Sequence, residues 1–327
     1  MKKGQIRAVT FLLGIFLPVA ALEGQERVPR AVPLGQYRLA VEHGEYSGIC
    51  HLEEDLYAVV DDNDPGGGIH LFYLPLGPSG RPGAVSQYAV DANLAGPSGR
   101  DNEDIVYIPS LKTFFVSSEA EASIREYDQA GRPTGRQMAV PEEWHNTPFN
   151  GGVEALASDG SSVWAITEMP MIGDAPLRHR LIRYCVETLS PAGLYVYECD
   201  APEKGPEGTR AYVHGISAMT ALPDGRLIVL EREVFVPKGS PFQMLGKSFT
   251  SASLYLTDPL NDTTLPLRKT LLARVETKAA NLANFEGMCL GRPLPDGRPT
   301  LLLIPDSERG MHGLVGEYLY VMALEGL

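Results

Sequence analysis

Three pairs of acids stand at similar separations along the chain: Glu103 with Glu119, Glu154 with Glu168, and Glu286 with Asp306. Two further pairs keep the second acid but carry serine first, Ser47 with Asp61 and Ser217 with Glu231. Carboxylates gathered in such number raise one another's pKa and repel unless protons or cations offset them. Hard oxygen donors of this kind suit Ca²⁺, which takes roughly six to eight oxygens in flexible geometry. The expected cation ligands are Glu103, Glu119, Glu154, Glu168, Glu286, Asp306 and Asp61, with Asp62 beside them. Histidine and cysteine are too sparse to give a zinc site of convincing spacing. Arg232 follows Glu231 directly, and His214 stands just before Ser217. These three are the candidate catalytic groups, the guanidinium to hold an anionic ligand and His214 to donate a proton. The competing readings are an ion pair of Arg232 with Glu231 or Glu286, and a hydrogen-bonded strand-end role for His214.

Each first position opens a short apolar run and each second position closes another, with a turn such as Pro223-Asp-Gly-Arg or Ser158-Asp-Gly-Ser-Ser between them. That pattern is a β-hairpin, whose two ends lie side by side. Every pair therefore falls at one end of its hairpin, so the acids can converge on a single face. The units start at 47, 103, 154, 217 and 286. A third strand follows in each, near residues 68–74, 123–128, 180–185, 253–258 and 317–322, and a fourth near 85–90, 195–198 and 270–275. Four antiparallel strands per unit, repeated around an axis, make an all-β β-propeller of five or six four-stranded blades. A strand near residues 36–41 would complete the last blade and close the ring, hiding sheet edges. The organisation expected is a leader at 1–21, a flexible stretch at 22–33 and one propeller domain at 34–327.

Lys2, Lys3 and Arg7, then an apolar run and Val19-Ala20-Ala21, read as a secretory signal peptide, which implies export to the periplasm or beyond. No later segment is apolar or long enough for a membrane span. The formal charge is −13, and −16 without the three leader cations, which disfavours nucleic acid and anionic membranes and favours cations or cation-bridged ligands. A monomer is expected, acting on a small anionic or ester substrate. Export permits disulfides, Cys185–Cys199 across a hairpin and Cys50–Cys289 between the first and last units. The segment Asp61-Asp-Asn-Asp-Pro-Gly-Gly-Gly has a calcium-loop composition without the EF-hand spacing. Arg178-His-Arg180 adds a basic cluster, and Trp144, Phe149 and Phe235 could form an apolar lip. No G-x-S-x-G elbow, Walker loop or H-E-x-x-H motif occurs.

The ordered set Tyr46-Ser-Gly-Ile with Val60-Asp-Asp, Asn102-Glu-Asp-Ile with Ser118-Glu, and Asn150-Gly-Gly-Val-Glu-Ala-Leu with Thr167-Glu resembles the phytase-like family, also described by "esterase-like activity of phytase". Gly215-Ile-Ser-Ala-Met with Leu230-Glu-Arg, and Asn284-Phe-Glu-Gly-Met with Ile304-Pro-Asp, extend the resemblance over roughly residues 40–325. It implies a secreted β-propeller with metal at the acidic mouth and hydrolysis of phosphate esters. Lysine is scarce near the rim, which argues against phytate itself. Two alternatives stand beside that reading: a non-enzymatic, calcium-stabilised binding propeller, and a calcium-dependent esterase or lactonase.

Overall fold

The computed structural model describes residues 28–62, 68–90, 101–147, 152–278, 283–307 and 317–327. The leader, most of the calcium-loop-like segment and Phe149 lie outside those residues. Among the described residues, twenty strands form five four-stranded antiparallel sheets, the blades of a propeller. After β1 (Arg30–Arg38), blade 1 is β2 (Tyr46–Glu53), β3 (Leu56–Asp61), β4 (Ile69–Tyr73) and β5 (Ser86–Val90). Blade 2 is β6 (Asn102–Ile108), β7 (Thr113–Ser118), β8 (Ser123–Asp128) and β9 (Pro133–Gln137). Blade 3 is β10 (Val153–Ser158), β11 (Ser162–Thr167), β12 (Arg178–Cys185) and β13 (Pro191–Glu198). Blade 4 is β14 (Thr209–Ala221), β15 (Leu227–Pro237), β16 (Phe249–Thr257) and β17 (Lys269–Lys278). Blade 5 combines β18 (Asn284–Gly291), β19 (Thr300–Asp306) and β20 (Tyr318–Glu325) with β1 as its outermost strand.

The count is thus five blades, and the N-terminal strand closes the ring as expected. It begins earlier than expected, because Arg30 to Pro33 already pair with Glu325 to Met322. Residues 30–33 are therefore part of the last blade and not a flexible stretch.

Burial follows radial position. The second strands carry almost unbroken apolar runs, and β11 is buried along its whole length, since a sheet packed on both faces has no solvent side. The outermost β9 is exposed throughout and carries Pro133 and Gly135, which blunt an open edge. Apolar clusters fill the gaps between blades, for example Leu230, Leu254, Phe285, Met288 and Leu303 between blades 4 and 5. All four cysteines are free thiols, so neither expected disulfide forms. Cys185 sits at the end of β12 opposite Ser162, while the Cys199 sulfur lies 3.3 Å from His179 Nε2. Among the described residues the one α-helix, α1 (Pro241–Lys247), is started by a capping box between Ser240 and Gln243.

Blades 3 and 4 meet where Ile216 N–H donates to the Glu168 carbonyl at 3.1 Å. A Cβ on Gly215 would stand 2.2 Å from that same oxygen, and the neighbour is backbone that cannot rotate away. Gly215→Ala should lower stability by about 1–3 kcal/mol through overpacking, read from the midpoint of denaturant unfolding. An unchanged midpoint would mean that this seam yields.

Candidate functional site

A β-bulge occurs at the same place in all five inner strands. Register slips between Tyr46 and Gly48, Asn102 and Ile105, Val153 and Ala155, Ile216 and Ala218, and Phe285 and Gly287. The residues that the strand register skips are Ser47, Glu103, Glu154, Ser217 and Glu286, the first positions of the five sequence pairs, together with Asp104. A bulge re-aims its extra side chain away from the ladder, which is how Glu103, Glu154 and Glu286 turn toward the channel mouth, whereas Asp104 accepts the Leu156 N–H and Ser47 bonds the Asn102 carbonyl between blades.

Glu154, Glu168 and Glu286 surround Arg232, whose side chain is 4% exposed. Arg232 Nη2 is 2.5 Å from Glu168 Oε1 and 3.8 Å from Glu154 Oε1, and Nη1 is 2.6 Å from Glu286 Oε1. Nη1 also donates to Asn284 Oδ1 at 2.8 Å. Of its two expected pairings, Arg232 therefore makes the one with Glu286 and not the one with Glu231. Burial pulls its pKa down, but Glu286, Glu168 and Glu154 outweigh that and hold it above the usual value. Its Nε–H and the Ser217 hydroxyl are buried with no hydrogen-bond partner among the described residues.

The other half of the mouth is different. Asp62, Asp101 and Glu103 each place a carboxylate oxygen within 4.8 Å of the other two, and all three are half-buried. The Glu103 carboxyl is raised well above the usual range by burial and by Glu154, Asp62, Glu286 and Asp101. Asp62 is raised to about 8 by burial and by Asp101, which also shares a hydrogen bond with it. Asp101 holds a backbone φ of 146°, a conformation rarely adopted outside glycine and typical of functional sites. Its carbonyl accepts from Glu119 N–H at 3.0 Å. Glu119 takes the Gly152 N–H at 2.5 Å, and burial, offset in part by that bond, leaves its pKa at about 7. Glu154 is likewise raised, by burial and by Glu168.

Three expected site residues lie elsewhere. Glu231 points away from Arg232 into the gap between blades 3 and 4, where it accepts from Tyr197 Oη (2.7 Å), Asp200 N–H (2.8 Å) and Lys269 Nζ (2.5 Å). Neighbouring residues of a strand face opposite sides, so Glu231 and Arg232 cannot both reach the mouth. His214 is opposite Glu233, and burial lowers its pKa despite Glu233 and Glu231. It belongs to the Glu231–Lys269 cluster. Asp61 Oδ2 accepts from Glu45 N–H at 3.0 Å, so Asp61 ties down the loop before β2 while Asp62 joins the acids. Asp306 ends β19 opposite Asn284.

The basic cluster is neutralised by Arg178–Glu198 and Arg180–Asp174 pairs, with His179 buried. Trp144 is buried core rather than a lip, and Phe235 packs on Phe249. Asp101, missed from sequence, was signalled only by its place in the acidic run Asp101-Asn-Glu-Asp.

Replacing Arg232 with methionine leaves Glu168, Glu286 and Glu154 without their cation at similar side-chain volume. The expected loss at pH 8 is about 3–5 kcal/mol in urea denaturation. It should be smaller at pH 5, where the raised carboxyls of Glu154 and Glu168 take up protons. Equal losses at both pH values would show that the guanidinium packs rather than neutralises.

No curated protein matches this chain. Among solved structures it is similar to the Malassezia sympodialis allergen Mala s 1 (12% identity, TM-score 0.47, 88% of this chain and 95% of that one). It is also similar to the α-L-arabinofuranosidase PaAbf62A from Podospora anserina (11%, 0.43, 91% and 96%). A third similarity is to the Pseudomonas aeruginosa periplasmic gluconolactonase PpgL (15%, 0.36, 78% and 64%). The family model described as "Phytase-like: Esterase-like activity of phytase" matches residues 41–308, a span that takes in β2 through β19 and all five bulges, and the chain belongs to that family.

Proposed function

We propose that this protein is a cation-dependent hydrolase of phosphate esters, exported by its leader and acting at the acidic mouth. The observation that carries the reading is the group of Asp62, Asp101 and Glu103, three carboxylates within 4.8 Å of one another next to Glu154 and Glu286. Their donor set fits a hard divalent cation such as Ca²⁺: oxygen ligands only, half-buried, with Asp62 and Glu103 so crowded that they keep protons a cation would displace. Asp62, Asp101 and Glu103 would hold the ion. Bound there, it would supply Lewis-acid polarisation of a phosphoryl oxygen and a water of lowered pKa.

The chain's own residues complete the arrangement. Arg232 fixes Glu154, Glu168 and Glu286 by its ion pairs, and its Nε–H with the Ser217 hydroxyl offers donors to a ligand oxygen. Glu119, at about 7, can hold or release a proton near neutral pH, as a general acid or base must. A second reading, the non-enzymatic calcium-stabilised propeller, draws support from the closed Arg232 half of the mouth.

Calorimetric titration should show Ca²⁺ binding that weakens at least tenfold in Asp101→Asn and in Glu103→Gln. The same variants should lose turnover of p-nitrophenyl phosphate. Absence of binding in the wild type would end the reading; binding without turnover of any phosphate or carboxylate ester would favour the non-enzymatic one.

The pH dependence has a definite sign. The folded-state carboxyls of Asp62, about 8, and Glu119, about 7, lie above their unfolded values near 4. The folded chain thus keeps protons that the unfolded chain releases, and stability from these groups falls as pH rises. Without divalent cations the melting temperature should drop between pH 5 and pH 8, and the gain on adding Ca²⁺ should grow over the same interval. A calcium gain independent of pH would mean that the ion displaces no protons from this mouth.

A further inference from the structure

Blade 4 stands above the mouth. The other inner strands begin close to their bulges, β2 at Tyr46, β6 at Asn102, β10 at Val153 and β18 at Asn284. β14 instead begins at Thr209, well before Ser217, and β15 runs on past Glu231 to Pro237. At ~3.3 Å per residue, the extra length raises the β14–β15 ladder about 20 Å beyond the level of the bulges, as a fin beside the acids.

The two faces of that fin differ. Glu233 and Tyr212 share one face: Glu233 accepts the N–H groups of Glu203, Lys204 and Gly205, and Tyr212 Oη donates to it. That face is covered by the blade 3–4 connection. Arg232 points to the other face, so Val234 and Val236 share its side. Opposite Arg232, Val234 and Val236 stand Gly215, Val213 and Ala211. Val213, Val234 and Val236 are half-exposed and Ala211 is exposed. Above Arg232 this face carries no charge among those residues, in a chain of net charge −13.

We propose that the valine face receives the apolar organic part of the substrate, an aliphatic or aromatic ester substituent, while the polar head reaches the acidic mouth. The inference rests on the hydrolase reading above and narrows it to amphiphilic esters. The same two strands carry Arg232 and Ser217 at the level of the mouth and the valines above it, so the valine face adjoins the acidic group and one small molecule can span from one to the other. Val234 and Val236 lie about 7 and 13 Å along the strand from Arg232, the reach of a medium-length alkyl chain. A ring crowded with phosphates would meet uncharged methyl groups there instead of cations.

Methyl-, butyl- and octylphosphonate titrated calorimetrically into the calcium-loaded protein test this. Affinity should rise roughly two- to fourfold per methylene over the first few carbons, and the rise should flatten in Val234→Asp. Val213→Ser provides a milder variant whose folding is checked by thermal melt. Equal affinities across the wild-type series overturn the proposal, as does an unchanged slope in both variants. If Ca²⁺ binds but no phosphonate does, the phosphate reading fails. A γ-lactone series of increasing side-chain length then judges the valine face alone, and affinity indifferent to length overturns it. A dimer in sedimentation velocity that Val234→Asp dissociates would assign the face to a second copy and overturn it too.

Discussion

Repulsion among buried carboxylates is the constraint around which this molecule is arranged. Glu103, Glu154, Glu168 and Glu286 converge with Asp62 and Asp101, and the ion pairs of Arg232 reach Glu154, Glu168 and Glu286. One guanidinium cannot neutralise so many anions, so the mouth divides. Around Arg232, Glu168 and Glu286 take charge-assisted hydrogen bonds and Glu154 stands 3.8 Å from the guanidinium. Toward Asp101 no such cation reaches among the described residues, and Asp62 and Glu103 hold on to their protons. A buried ion pair contributes little net stability by itself. Its value here is geometric, since Arg232 joins blades 3, 4 and 5 at one point.

The same level of the propeller is stitched all the way round. Ser47 Oγ donates to Asn102 O at 2.6 Å between blades 1 and 2. Gly152 N–H binds Glu119, and Leu156 N–H binds Asp104 at 2.7 Å, between blades 2 and 3. Ile216 N–H meets Glu168 O between blades 3 and 4. Arg232 spans to Asn284 and Glu286 in blade 5, and Ser307 Oγ returns to Gly44 O in blade 1 at 3.1 Å. Interblade packing alone is apolar and tolerant of sliding. Directional bonds at every seam fix the rotation of each blade, and therefore where each bulge aims its side chain.

Chemical asymmetry is laid over this pseudo-fivefold ring. Serine at two bulges removes two carboxylates. Ser217 also leaves room for Arg232, from the next strand, to enter the centre, so blade 4 contributes a cation where blades 2, 3 and 5 contribute glutamates. Blade 4 is also the one whose strands rise past the mouth. A half-buried acidic half, a closed cationic half and a projecting apolar face give this end of the propeller three chemically distinct sides.

The sequence by itself determined the repeat, the hairpins and the all-β propeller, because apolar runs, turn residues and their spacing are local properties. Ring closure was legible too, although β1 reaches back to Arg30 because backbone pairing with Met322 to Glu325 needs no apolar signal. It also located Glu103, Glu119, Glu154, Glu168 and Glu286, whose hairpin-end positions follow from the same spacing. Only the tertiary structure decided which neighbour of each adjacent pair faces the mouth. Arg232 enters and Glu231 does not, and Asp62 joins the acids while Asp61 caps a loop. Side chains alternate with a period of two, so one bulge reverses the face of everything beyond it. Asp101 depends on a backbone conformation that residue type does not announce. The physical reason is the same in each case: strand propensity is written locally, whereas bulge position, seam bonding and charge compensation arise only when five blades meet around one axis.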